Sequence, residues 1–324
     1  MIKTGVIGTG GISGMHLDFM RSQEDVEIAG LCDIKPEALK HRQDEFGGKG
    51  FDHFLKLLDG VDLDAVWLCT PPDVREEMLV ECGKRKIPVF CEKPVEHSKE
   101  KAKRIAAQLK ELDAKVQIGY VFRALPRVKM LKDLMADDNI YLVQSFYGCT
   151  MSIDRKMPAW FFDKDKSGGG LVDQATHNFD LLRYMFGDIA EVSGVASNPR
   201  MKKEPEYTIE ETIGVAFVFE SGMLGTHTHT WVGDAWRNEI NFSGEKRHYR
   251  VDMWDGKITV HEGSETRIIN LKEQGMYTYE NELFLGMVRS GDWSGNICSY
   301  EDGLRTLGLT LGADESLEGT KVIL

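Results

Sequence analysis

Three groups of residues combine types and spacings that could do chemistry. Near the N-terminus, Gly8-Thr9-Gly10-Gly11-Ile12-Ser13-Gly14 follows a short apolar run and precedes a helix-like one. Gly8 and Gly10 permit a tight turn and let backbone N–H groups approach a pyrophosphate at a helix start. Ser13 takes the third position of G-x-G-x-x-G and is small enough for close helix–strand packing. Asp33 lies 33 − 13 = 20 residues beyond Ser13. A carboxylate there accepts hydrogen bonds from both hydroxyls of an adenine ribose and repels a 2′-phosphate, which predicts NAD before NADP. Lys35 would soften that repulsion, and Asp33 also reads as a helix N-cap ahead of Pro36.

The second group is Cys69-Thr70-Pro71-Pro72 with Glu92-Lys93-Pro94, each closing an apolar run. Open parallel sheets place ligands at that strand edge. Pro94 blocks further pairing and disfavours a helical Lys93, leaving its amine at the crevice, where it could donate to a hydroxyl or exchange a proton. By itself, a solvated lysine is the commoner reading. The third group, Asp173, His177 and Asp180, follows Ser167-Gly168-Gly169-Gly170. Offsets of 177 − 173 = 4 and 180 − 173 = 7 put the three on one helical face, where an imidazole between carboxylates can serve as a general base. The competing reading is a helix whose acids pair with His177 and Arg183. One His with two Asp on one helix lacks further evident ligands, and His227 and His229 share a strand face that lines a sheet, so no metal is expected.

The elements that must carry these residues fall into two styles. Up to about residue 122, near-continuous apolar runs (2–8, 26–33, then LDAVWLC, IPVFC and KVQIGYV) alternate with charge-rich helical stretches. That is the mark of a parallel sheet covered on both faces. A helix is expected near 125–136 and another from about 171 to 186. From Val192 onward, alternating runs separated by Gly or Asp turns predict an antiparallel sheet, and the C-terminus returns to helix. The expected domains are residues 1–122 and 123–324, the first α/β and the second α+β with a large, mainly antiparallel open sheet.

The 324 residues are 42% hydrophobic and 28% charged, with 33 Gly and 9 Pro, which excludes disordered and collagen-like classes. A net charge of −12 offers no basic field for nucleic acid. No run reaches the ~20 apolar residues of a membrane span. Six cysteines without CxxC spacing, several inside apolar runs, suit a reducing compartment, so a cytoplasmic protein is expected.

Taken together, VIGTGGIS, CDIKPEA, LCTPPDVREEML, VFCEKPVEHS, QIGYVFRALP and SGGGLVDQATHNFDLLRYMFG resemble the Gfo/Idh/MocA oxidoreductases across both domains. The resemblance implies an N-terminal Rossmann domain and a C-terminal α+β domain whose open sheet forms the interface of a homodimer or homotetramer. It implies hydride transfer between NAD(P) and a ring hydroxyl of a sugar or cyclitol. Matched motif by motif, Lys93, Asp173 and His177 are the catalytic set, while Gly8, Gly10, Gly11, Ile12, Asp33, Thr70, Pro71, Pro72, Glu92 and Lys93 line the cofactor. Arg123, Trp160, Asp173 and His177 face the substrate. The family commonly has Asn and then His after the TP segment. Here Pro72, Asp73 and Arg75 stand there, and Arg123 reads equally as a structural ion pair. Phe161, Phe162, Asn178, Trp231 and Trp236 are further candidates for the cleft, although core packing would look the same. A regulatory protein that binds dinucleotide without turnover, and a redox-neutral enzyme that returns its hydride, are the alternative functions.

Overall fold

A computed structural model describes residues 1–150, 159–199 and 207–324, with the side chains of 159, 160 and 234 outside that description. The chain forms two compact units, Met1–Ala124 with Gln274–Arg305, and Leu125–Glu273 with Thr306–Leu324.

The first unit begins β1 (Ile2–Ile7), α1 (Ser13–Arg21), β2 (Val26–Cys32), α2 (Pro36–Phe46), β3 (Lys49–Phe51), α3 (Phe54–Gly60) and β4 (Ala65–Leu68). It continues with α4 (Arg75–Lys84), β5 (Val89–Glu92), α5 (Lys99–Glu111) and β6 (Val116–Gly119). The strands run parallel in the order β3-β2-β1-β4-β5-β6. Every residue of β4, β5 and β6 is buried, as expected of strands covered on both faces. The chain order reverses between β1 and β4, and open α/β sheets bind their ligands at such a point. Three-residue β3 and seven-residue α3 are too short to show a period in the sequence.

The second unit contains α6 (Pro126–Leu134), β7 (Ile140–Thr150), α7 (Lys164–Ser167), α8 (Gly169–Asp173), α9 (Thr176–Phe186), β8 (Ile189–Ser197), β9 (Thr212–Phe219), β10 (Leu224–Thr230) and β11 (Val232–Gly244). After these come β12 (His248–Asp252), β13 (Lys257–Glu262) and β14 (Glu265–Asn270), then helices α10 (Met276–Ser290) and α11 (Tyr300–Glu315), and β15 (Val322–Ile323). Among the described residues the sheet has nine strands, β14-β13-β12-β11-β7-β10-β9-β8-β15, antiparallel except for the β7–β10 pair. Alternation sends Ile213, Val215, Phe217 and Phe219 of β9 inward. Phe179 of α9 meets the rings of Phe217 and His227 on that face.

The single helix expected over 171–186 is interrupted. Gln174 closes α8 and Ala175 opens α9, so Asp173 does not share a helix with His177 and Asp180. No helix among the described residues is long and apolar enough to cross a membrane.

Helix α10 lies with the first unit, whereas the sequence pattern groups it with what precedes it. Phe284, Leu285 and Met287 join Val6, Leu17, Met20, Trp67 and Phe90 in one buried cluster. Phe284 meets Trp67 edge-on at 4.9 Å and Phe90 at 5.6 Å. The apolar face of α10 thus completes the cover of the parallel sheet next to α1. Truncating Phe284→Ala should cost about 3–5 kcal/mol in urea unfolding of the first unit. A loss below about 1 kcal/mol would show that α10 is not part of that core.

Candidate active site

The glycine turn comes directly from the strand ends. Gly8 has φ +91°, and a Cβ there would come within 2.7 Å of the Cys69 carbonyl carbon and the Thr70 amide nitrogen. Only glycine therefore fits between β1 and the end of β4. Gly10 and Gly11 differ: neither has positive φ, and a Cβ on either would meet nothing within 4 Å. Ser13 is fully buried and its hydroxyl donates to the Gly10 carbonyl at 2.7 Å, closing the first turn of α1. Asp33 is tied to this turn, since its Oδ2 accepts from the Thr9 amide at 2.7 Å and the Thr9 hydroxyl at 3.0 Å. Its Oδ1 accepts from the Lys35 amide at 2.8 Å, an Asx turn ahead of α2; the N-cap of that helix is Lys35, with no side-chain cap, so Asp33 is not the cap that the sequence suggested. Arg42 of α2, which no motif singles out, reaches back to the carbonyls of Gly10 and Gly11 at 3.3 and 3.4 Å.

Thr70, Pro71 and Pro72 follow β4, and Glu92, Lys93 and Pro94 end β5. With Gly8 after β1 and Asp33 after β2, they share the carboxyl edge of four adjacent strands. The two turns are strapped together by Arg75. This side chain is 2% exposed, and its Nε donates to the Thr70 carbonyl at 2.9 Å. Its Nη1 donates to the carbonyls of Pro94, at 2.6 Å, and Glu92. Arg75, one of the three residues that depart from the family pattern, therefore fixes both turns. Lys93 is half-buried behind a cis peptide to Pro94.

The Glu92 side chain turns inward and is 6% exposed. Its Oε1 lies 2.9 Å from Nε2 of the fully buried His16, and the Lys93 amide donates to its Oε2 at 3.2 Å. Arg123 is likewise 5% exposed; it pairs with the Asp302 carboxylate and donates to the Ile297 carbonyl at 2.7 Å. That is the structural ion pair the sequence left open.

In the second unit the three glycines serve backbone geometry and close packing. Gly168 and Gly169 have φ of +79° and +72°, left-handed values that link α7 to α8. A Cβ on Gly170 would stand 2.5 Å from the Trp231 indole nitrogen and 2.9 Å from His229. The glycine run brings α8 down onto β10. Asp173 at the end of α8 and His177 in α9 are both half-buried. Gln174 connects them to the sheet: its amide donates to Asp173 Oδ2 at 2.8 Å, and its carbonyl accepts from the Tyr147 hydroxyl at 3.2 Å. Asp180 is fully buried and accepts from the Thr306 hydroxyl at 2.8 Å, so it belongs to the interior.

Several aromatic candidates for the cleft are core instead. Phe161, Phe162 and Trp231 are at most 6% exposed and share one cluster with Cys149. Asn178 is buried and bonded to Ser145 and Asn238. Trp236 is 43% exposed, and the Trp160 side chain lies outside the described residues. His227 and His229 face inward on β10, as their shared parity requires, and burial holds both imidazoles down to about 3. They are neutral at any physiological pH.

Comparison with known proteins adds to this geometry. A model described as an oxidoreductase family with an NAD-binding Rossmann fold matches residues 2–120, and the GFO/IDH/MocA C-terminal domain matches 131–250. The chain is 26% identical over 337 residues to myo-inositol 2-dehydrogenase of Thermotoga maritima, covering 98% of this chain and 96% of that one. It is 29% identical over 192 residues to glucose-6-phosphate 3-dehydrogenase of Bacillus subtilis, covering 57% and 54%. Myo-inositol dehydrogenase from Corynebacterium glutamicum shares the fold with a TM-score of 0.84 at 19% identity over 100% and 99% of the chains. Levoglucosan dehydrogenase in complex with NADH and L-sorbose gives 0.85 at 18% identity over 99% and 98%. With a parallel sheet in Rossmann order and both domain models matched in sequence, the chain belongs to the Gfo/Idh/MocA family of NAD-binding oxidoreductases.

Proposed function

We propose that this protein is a dehydrogenase that uses NAD to exchange hydride with a ring hydroxyl or carbonyl of a sugar, cyclitol or derivative. The observation that carries the cofactor half is the pair Gly10 and Gly11. No strain and no neighbour within 4 Å calls for glycine at either position, so the close approach of a ligand remains as the reason for both. Asp33, fixed to the same turn through Thr9, favours NAD, because a 2′-phosphate brought to its carboxylate would meet like charge. Ile12, Thr70, Pro71, Pro72 and the backbone at Glu92 and Lys93 complete the cradle. The Glu92 carboxylate is already engaged by His16, so its part is to hold the turn.

When bound, nicotinamide supplies the hydride acceptor or donor. Lys93 then hydrogen-bonds the substrate oxygen as its charge develops, and His177 takes or returns the hydroxyl proton. Asp173, oriented through Gln174 and Tyr147, holds the imidazole in one tautomer. Arg123 is assigned to its ion pair with Asp302 rather than to the substrate, and Trp160 is retained as a substrate contact by family resemblance.

The names of the relatives support a polyol or sugar as substrate. All six cysteines are free, which fits a reducing compartment such as the cytoplasm. The outward face of the large sheet supports a homo-oligomer. Leu142, Leu224 and Val218 align across β7, β10 and β9, and Phe146, Thr228, Gly214 and Val195 form a second row. Leu224 and Val195 are 49% and 72% exposed, an apolar stripe that a second copy would cover.

Replacing Lys93→Met should lower kcat by about 10²–10⁴ while the NAD dissociation constant, read by fluorescence titration, stays within a few-fold. An unchanged kcat would remove Lys93 from the chemistry. Asp33→Ser should move the ratio of kcat/KM for NAD over NADP toward NADP by roughly tenfold or more, about 1.4 kcal/mol, and a constant ratio would deny Asp33 its ribose role. Light scattering should find the native chain as a dimer or tetramer and Leu224→Arg in a smaller species; equal masses would place the interface elsewhere.

A further inference from the structure

Behind the Lys93 turn lies a buried polar cluster that the reaction scheme leaves unused. One ligand atom from each of His16, Glu92 and Glu280 lies within 4.8 Å of the others, and all three residues are buried. Glu280 is 1% exposed, and neither of its carboxylate oxygens makes a hydrogen bond among the described residues. Two ionised carboxylates here would leave two negative charges side by side away from water, a costly arrangement without compensation.

The neighbouring network says where the compensation is absent. The Trp67 indole can only donate, and it faces the Asn281 side chain at 2.7 Å, so that atom is Oδ1. The Tyr277 carbonyl can only accept, and it faces the same amide at 2.6 Å, so that atom is Nδ2. His16 Nδ1 lies 3.0 Å from Asn281 Nδ2 and 3.1 Å from its Oδ1, so this ring nitrogen meets Asn281 in either tautomer. The other ring nitrogen, Nε2, stands 2.9 Å from Glu92 Oε1, so the imidazole engages Glu92, and no hydrogen bond joins it to Glu280. Among the described residues no cationic side chain is hydrogen-bonded to Glu280. Cys69 and Tyr277 are both held protonated, chiefly by burial, and burial also raises the Cys91 thiol. The bonds of the Arg75 guanidinium go to the carbonyls of Thr70, Glu92 and Pro94 and to Cys91 Sγ.

We propose that Glu280 is kept as the neutral carboxylic acid, and that its O–H, facing Glu92, acts as a positioning group. It leaves a single charge on Glu92 and steadies the Glu92-Lys93-Pro94 turn. Burial and the adjacent Glu92 charge both push the Glu280 carboxyl well above its ordinary range, in the same sense. The link to turnover rests on the reading of Lys93 as an acid–base group; the protonation state does not.

The sign of the pH effect follows. A carboxyl whose folded-state pKa is raised gives stability that is full below its unfolded value and falls as pH rises above it. In wild type that loss begins near pH 4.5, and Glu280→Gln, which has no proton to lose, escapes it. Melting of the two full-length proteins from pH 4 to 9 should show Glu280→Gln gaining on wild type steadily as pH rises. The infrared band of a protonated carboxyl group, present in wild type at neutral pH, should disappear in the variant. Glu280→Gln should keep kcat within a few-fold, because its amide N–H can stand in for the proposed O–H, whereas Glu280→Leu should lower kcat on the order of tenfold or more with NAD affinity retained. A stability gap that does not change with pH, or a divalent cation such as Zn²⁺ or Mn²⁺ bound stoichiometrically in wild type and lost in Glu280→Gln, would overturn the proposal. A widening gap in an enzyme whose Lys93→Met variant still turns over would uphold the protonated Glu280 and refute the Lys93 reading alone.

Discussion

The carbonyl groups that follow parallel strands have no partner once pairing stops, and turns at a sheet edge stay put only if something else satisfies them. In this protein one guanidinium does so for two turns at once. Arg75 binds the carbonyls of Thr70, Glu92 and Pro94, so the loop after β4 and the loop after β5 form one rigid edge. Gly8 enters the same arrangement from the other side, seated against the backbone of Cys69 and Thr70 where no larger residue fits. The proposed cofactor cradle and Lys93 thus rest on shared backbone, and an error in either turn displaces the other.

The inner side of that edge shows what holds the Glu92 carboxyl group. Trp67 donates to Asn281 Oδ1, Asn281 meets His16 Nδ1, and His16 Nε2 meets Glu92 Oε1, a buried chain of polar contacts. The chain ends on the Glu92 carboxylate, whose second oxygen takes the Lys93 amide. Helix α10 contributes both the apolar cover, through Phe284, and the polar end, through Asn281, so one element performs packing and positioning together.

Much of this was legible in the residues. Both sheets, the glycine turn, the Thr9-linked acid and the late strands follow from period, turn chemistry and strand-end position. The elements that escaped did so for physical reasons. Strand β3 is three residues long, shorter than any period. No Gly or Pro stands at the break at Gln174, and Gln174 and Ala175 both keep right-handed helical dihedrals, so no local breaker announces it. Helix α10 reads as amphipathic wherever it belongs, since periodicity reports a buried face and not what covers it. Among site residues, His16 and Asn281 are 265 positions apart, and no local pattern relates them. One signal was available: Glu280 shares a helical face with Phe284 and Met287, and an acid among apolar residues is a buried polar group awaiting an explanation. Phe161, Phe162 and Trp231 illustrate the opposite failure, because aromatic side chains look alike whether they line a cleft or fill a core.

The central claim is that a nicotinamide held at this edge undergoes net reduction by a polyol. Its most direct test is absorbance at the reduced-nicotinamide band, with enzyme, NAD and a panel of cyclitols, aldoses and their phosphates. The account predicts reduced cofactor accumulating in proportion to oxidised product with at least one member of the panel. Binding of NAD without any reduction, or product forming while the band stays flat, would contradict it.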